Sequence, residues 1–202
     1  KKGDYITSPI ISKIFSEIIT IWLIKSWEVF GKPQKFNLVE LGPGNGSLME
    51  TIVSTSKNFN AFYDSTSFFL YEKSNLLKQI QKKKINNKKV KWISNFSKIG
   101  NGPVIFIGNE FFDAIPVKQF VKKKHKFYEK HVKLIKNKKI LHILKISNKY
   151  EIKKILSYKS FNNSNFIEFP KKGLEELEKV VAKIKKNKGG VLLIDYGYLG
   201  KM

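Results

Sequence analysis

Cysteine and arginine are both missing from this chain. Without cysteine there is no disulfide framework and no thiolate metal site. Without arginine, all 39 basic residues are lysines, and the formal charge of +23 rests on compact ammonium groups. Specific base readout and bidentate phosphate recognition favour the planar arginine fork. The charge therefore reads as a solvated lysine coat that attracts polyanions without selecting among them. The lysines are also spread along the chain among many Asn and Ile residues. Long apolar runs are missing too. The richest, IITIWLI, falls far short of the roughly 18 residues a membrane span needs, and it reads as part of a core-facing helix. No secretory leader is evident, and the first residue is lysine rather than methionine.

What is present suits a globular chain. Of 202 residues, 42% are hydrophobic and 13% aromatic, enough for a real core. Segments alternate in the manner of an α/β domain. TSPIISKIFSEIITIWLIKSWEVFG predicts a helix, with Ser8 as its cap, Pro9 in its first turn and Gly31 past its end. Ile11, Ile14, Phe15, Ile18 and Trp22 recur at helical spacing and are expected to face the core. FNLVEL, SFFLYE, KVKWIS, PVIFIGNE and GGVLLIDYG read as five core strands. SLMETIVSTS, SNLLKQIQKKK and GLEELEKVVAKIKKN read as helices between them. After Pro116 the rhythm changes: VKQFVKK, KFYEKHVKLI and KILHILKI predict an antiparallel meander with lysine-rich turns. Residues 117–150 are taken as an insertion in a single domain over 1–202, and NNSN (162–165) as a loop.

The stretch LVELGPGNGSL joins the first strand to a helix through a glycine turn, the arrangement of a cofactor loop. A dinucleotide site asks for a third glycine at position 47, which is Ser47; here it is Gly46. Such a site also sets bare amides against a pyrophosphate, and Glu40 beside that phosphate would be unfavourable. S-adenosylmethionine carries a sulfonium and an ammonium and no phosphate, so an acid at the end of the first strand suits it. Glu72 ends the second strand, where it can accept from both ribose hydroxyls. Its distance of 30 residues from Gly42 exceeds the roughly 20 of the dinucleotide fingerprint. The fourth strand runs into IGNEFFDAIPVKQF. Asn109, Glu110 and Asp113 cluster there, without the Pro-Pro of enzymes that methylate DNA amino groups, and carboxylates suit a cationic acceptor such as guanidinium.

Together GDYITSPIISKIF, VELGPGNGSL, YEKSNLLKQIQ, GNEFFDAIPVKQF and GGVLLIDYGY resemble the MidA-like methyltransferases, bacterial and mitochondrial relatives of the complex I assembly methyltransferase. The resemblance runs from Gly3 to about Tyr198. It implies a Rossmann-like class I methyltransferase fold, S-adenosylmethionine as donor, and a protein substrate, an arginine of a respiratory complex I subunit or its bacterial counterpart. The implied compartment is the cytoplasm in a bacterium and the mitochondrial matrix in a eukaryote. The candidate donor-binding set is then Glu40, Gly42, Gly44, Gly46, Glu72 and Asn95, the last just beyond the third strand. The candidate catalytic set is Asn109, Glu110 and Asp113, with Glu168 and Asp195 as further acids. Two departures stand out. Ile10 occupies a position usually held by glutamate, and the family continues on both sides of the chain, including an antiparallel hairpin that closes the sheet. A fragment is expected. His125, His131 and His142 lack the acid pattern of a metal site and are expected in surface or strand-packing roles. Two other functions compete: an assembly factor that binds the donor without transfer, and, from the charge, a nucleic-acid methyltransferase.

Overall fold

The computed structural model describes residues 13–135, 139–161 and 163–196. Ser8, Pro9, Ile10 and Ile11, and the motif ends Gly3 and Tyr198, lie outside them. The chain divides into two compact units, one formed up to Ala114 and again from Glu178, the other by Ile115–Leu177.

The first unit is built on a parallel sheet. Its strands are β1 (Phe36–Leu41), β2 (Thr66–Tyr71), β3 (Val90–Ile93), β4 (Val104–Asn109) and β9 (Gly189–Ile194), in the order β3-β2-β1-β4-β9. Every residue of β1 is buried, as expected of a parallel strand covered on both faces, which reads as a continuous apolar run. On one face pack α1 (Lys13–Val29), α2 (Ser47–Ser56) and α3 (Asn60–Ser65), through Leu23, Trp27, Met49, Ile52 and Phe62. On the other, Val180 and Ile184 of the last helix, α6 (Lys171–Asn187), meet Val39, Leu41 and Phe106. All four sheet pairings are parallel, with Leu41 level with both Tyr71 and Gly108. The strand order reverses between β1 and β4. In an open α/β sheet that switch point, beyond the carboxyl ends of the strands, is where ligands bind.

One expectation about α1 is overturned. Ile14 and Ile18 are exposed, as is Trp22, and among the described members of that stripe only Phe15 leans on the core. The buried stripe is Ser16, Ile19, Thr20, Leu23, Ile24 and Trp27. The helix is apolar round most of its circumference, so spacing alone did not choose between two faces of equal period. Ser16 and Thr20 are both fully buried, and Thr20 satisfies its hydroxyl on the helix itself, donating to the Ser16 carbonyl at 2.8 Å. The Trp27 indole N–H donates to the Pro33 carbonyl at 3.0 Å. Gly31 ends the helix as expected, at φ +81°.

The second unit holds an antiparallel sheet in the order β7-β6-β5-β8: β5 (Lys118–Lys123), β6 (Lys126–Leu134), β7 (Ile140–Ile146) and β8 (Phe166–Phe169). The three meander strands read from the sequence are β5, β6 and β7. The helix α5 (Lys149–Leu156) and β8 were not read. Ile155 of α5 packs with Phe120, Ile167 and Phe169 to form this unit's core, which continues past the expected end of the insertion at 150.

Candidate functional site

Five of the six candidate donor-binding residues meet around one loop. Gly42, Gly44 and Gly46 all have left-handed backbones, at φ +61°, +53° and +84°. At Gly42 a Cβ would lie 2.8 Å from the Phe111 ring, so that ring closes directly over the turn. A Cβ at Gly44 would project into open space. The loop leaves β1 and enters α2, whose backbone N–H at Met49 hydrogen-bonds the Glu40 carboxylate. Glu40 itself is only 3% exposed, and its Oε2 has no partner. Burial pushes its pKa up to about 8, because removing a charge from water disfavours the ionised form.

Glu72, just past β2, is also buried. Its Oε1 accepts from the Ser74 backbone N–H at 2.7 Å and its Oε2 from Gln81 Nε2 at 3.2 Å. Gln81 is the residue that sequence reasoning missed. Fully buried on α4 (Asn75–Ile85), it also donates to the Gly44 carbonyl at 2.8 Å and accepts from Trp92 Nε1 at 2.8 Å. One amide thus ties the glycine loop, the acid after β2 and a side chain of β3 into a single network. The available signal was a glutamine four residues before buried Ile85, on the face of α4 that packs inward.

Asn95 stands one strand further out and is exposed. Its Oδ1 caps a short 3₁₀ turn (Phe96–Lys98), accepting from both the backbone N–H and the hydroxyl of Ser97. It lines an open cavity of about 450 Å³ with Tyr71, Ser94, Phe96, Lys183 and Lys186. At the end of β4, the Asn109 Oδ1 is buried without a partner. Glu110 takes a left-handed backbone at φ +51° and donates its N–H to the Ile194 carbonyl at 2.8 Å. A non-glycine residue in that region is uncommon and marks a strained position of the kind that collects at functional sites. Phe111 carries this segment onto Gly42. Asp113 stands apart, exposed and with no hydrogen bond or ion pair to a described residue.

The remaining acids lie elsewhere. Glu168, on β8 of the second unit, accepts from Gln119 Nε2 at 2.8 Å. Asp195 follows β9 and accepts from the Tyr196 N–H at 2.9 Å. Of the histidines, His131 has its Nε2 3.7 Å from Glu129 Oε2. Among the described residues no group of three or more His, Cys, Asp or Glu could hold a metal ion, and no helix is long and apolar enough to cross a membrane.

The arrangement offers two buried acids, Glu40 and Glu72, with bare backbone and open space at the switch point. That donor set fits a cationic, phosphate-free ligand. A family model described as "Putative S-adenosyl-L-methionine-dependent methyltransferase" matches residues 18–202. The mitochondrial protein arginine methyltransferase NDUFAF7 of Xenopus laevis is 29% identical over 98% of this chain and 51% of its own length. The human protein of the same name is 33% identical over 60% of this chain and 33% of its own length. The chain thus spans about half the length of the first of these relatives. Among solved structures, a COG1565 superfamily member from Burkholderia thailandensis bound to S-adenosyl-homocysteine shares the fold, with a TM-score of 0.75 at 17% identity. That match covers 97% of this chain and 50% of the other.

Proposed function

The chain belongs to the methyltransferase family whose model it matches, and from that premise we propose that it binds S-adenosylmethionine at the glycine loop and methylates a protein arginine. The substrate we propose is a subunit of respiratory complex I or its bacterial counterpart. The observation that carries the donor is the unpartnered Glu40 Oε2, buried beside the loop. A cationic ligand docked there would favour release of the Glu40 proton and pair with the carboxylate left behind, whereas a pyrophosphate would meet no counter-charge. Glu72, steadied by Ser74 and Gln81, would hold the ribose hydroxyls, and Gly44 leaves the space through which the backbone approaches the ligand.

S-adenosylmethionine supplies a methyl group on a sulfonium, already a good leaving group. The work left to the chain is alignment, and orientation alone can supply roughly 7–11 kcal/mol of a barrier. Asn109 Oδ1 would accept an N–H of the acceptor guanidinium. Glu110, held in place by its hydrogen bond to Ile194, would pair with the guanidinium charge. A protonated guanidinium lacks a free lone pair on nitrogen, so a proton must leave as the methyl arrives or just after. Exposed Asp113 is the carboxylate to pass it to solvent. The arginine acceptor rests on these carboxylates and on the relatives' activity as protein arginine methyltransferases.

Calorimetric titration with S-adenosylmethionine tests the donor half, with saturable binding expected, lost in Glu72→Ala. Mass spectrometry of an arginine-bearing complex I peptide after incubation tests the acceptor half, with a gain of one or more methyl groups expected. Donor binding with no methylated product would favour an assembly factor. Absence of donor binding would remove the proposal altogether.

A further inference from the structure

The antiparallel sheet has one covered face and one open face. Phe120, Ile167 and Phe169 turn toward α5. Side chains alternate across a sheet, and Phe120 is level with Glu129. Tyr128, Lys130, Val132 and Leu134 of β6 therefore lie on the opposite face. Their partners on β7 are Ile146, Leu144, His142 and Ile140. The apolar members of this face are not shielded: Ile140 is 65% and Ile146 72% exposed, with Val132 and Leu134 similarly open.

The backbone at this edge is open as well. Among the described strands β7 pairs only with β6. The phase of its ladder is fixed at both ends. The Ile135 N–H donates to the Lys139 carbonyl at 2.9 Å, and the Ser147 N–H donates to the Phe127 carbonyl at 3.1 Å. Hydrogen-bonded and non-bonded pairs alternate in an antiparallel ladder. Odd-numbered residues of β7 therefore bond β6, while Ile140, His142, Leu144 and Ile146 turn their N–H and C=O outward. Edge strands are normally blunted by charge, proline, bulges or shortness. β7 has seven residues, ILHILKI, with one lysine and no proline or glycine.

The two faces of the edge specify what would pair with it. A strand laid along β7 would set alternate side chains against apolar Ile140, Leu144 and Ile146 on the open face. On the other face it would meet exposed Lys139 and Lys145 at the two ends, with exposed Leu141 and half-buried Ile143 between them. The unit Ile115–Leu177 carries 17 lysines against five glutamates and no aspartate, so a second copy would bring like charge to like.

We propose that the outer edge of β7 receives an extended acidic segment of another protein as an added strand, its apolar side chains on the Ile140–Ile146 face and its carboxylates opposite Lys139 and Lys145. Added-strand recognition takes affinity from main-chain bonds and specificity from alternate side chains. The inference stands whether or not the chain transfers a methyl group.

Fluorescence anisotropy at physiological salt tests it, using a labelled short peptide of alternating valine and glutamate. The whole chain should bind this peptide saturably, and bind the valine–lysine counterpart and oligoglutamate far more weakly. His142→Pro removes one outward N–H and no bond to β6. The double variant Ile140→Lys, Ile146→Lys keeps every backbone bond and spoils the open face. Each should weaken binding by about tenfold or more, with circular dichroism unchanged. Four results overturn the proposal. The native chain fails to bind the peptide; oligoglutamate binds equally well; the double variant binds as the native chain does; or sedimentation shows self-association that His142→Pro abolishes, which makes a second copy the occupant.

Discussion

Burial keeps the Glu40 carboxyl protonated up to about pH 8, and that has a stability consequence with a definite sign. Its folded-state value is raised above the 4.5 expected of an unfolded chain, so between those values the folded state holds the proton more tightly. The stability this contributes is complete below 4.5 and is lost as pH rises through about 8. Glu40→Gln keeps an acceptor for the Met49 N–H and removes the titration. In thermal denaturation the melting temperature of the native chain should fall, relative to Glu40→Gln, between about pH 5 and 8. The same variant should weaken S-adenosylmethionine binding by calorimetry. Gln81 acts differently, through satisfaction of buried groups. Gln81→Leu leaves the Gly44 carbonyl, the Glu72 Oε2 and the Trp92 N–H each without the bond it now makes. A buried unsatisfied polar group costs about 1–3 kcal/mol. A loss of roughly that size or more is expected in urea denaturation, with a rise in donor dissociation constant, because the loop and Glu72 are loosened together.

At the scale of elements, the helix α1 separates two kinds of apolar residue. Leu23 is fully buried and Ile18 is 62% exposed. Leu23→Ala should cost about 2–5 kcal/mol, whereas Ile18→Ala should stay within about 0.5 kcal/mol, both measured by chemical denaturation. The reverse ranking would restore the stripe first expected. The strands and the glycine turn were legible because their signals are local: a run such as VIFI between turn residues, or three glycines before a helical stretch. The inward face of α1 was not legible, since Ile14, Ile18 and Trp22 match the helical period as well as Ile19, Leu23 and Trp27 do. The positions of Glu40, inside the end of β1, and Glu72, just past β2, were legible by their place at strand ends. Gln81 was not, because its role depends on three partners brought together from the glycine loop, from the residue past β2 and from β3. Short α5 and β8 were masked by flanking lysine and asparagine, whose polarity resembles that of a loop.

Across the whole molecule the charge of +23 without arginine separates attraction from recognition. Binding to duplex DNA should occur at low salt, since lysines release counterions from any phosphate backbone. It should fall by about 10³-fold or more between 50 and 200 mM salt and show no sequence preference in anisotropy titrations. A sequence preference surviving at physiological salt would instead support a nucleic-acid substrate. The charge is also unevenly set against function: the candidate site gathers Glu40, Glu72 and Glu110 in a chain with only 16 acidic residues, so its acids stand out against a lysine background.

The bond from Trp92 to Gln81 also gives this protein an optical reporter. Of its three tryptophans, Trp22 is exposed on α1, Trp27 lies in the core, and Trp92 alone is wired to the amide that holds both the glycine loop and Glu72. With Trp22 and Trp27 replaced by phenylalanine, the emission that remains should shift or quench as ligand fills the loop, so that occupancy can be followed by colour rather than by heat.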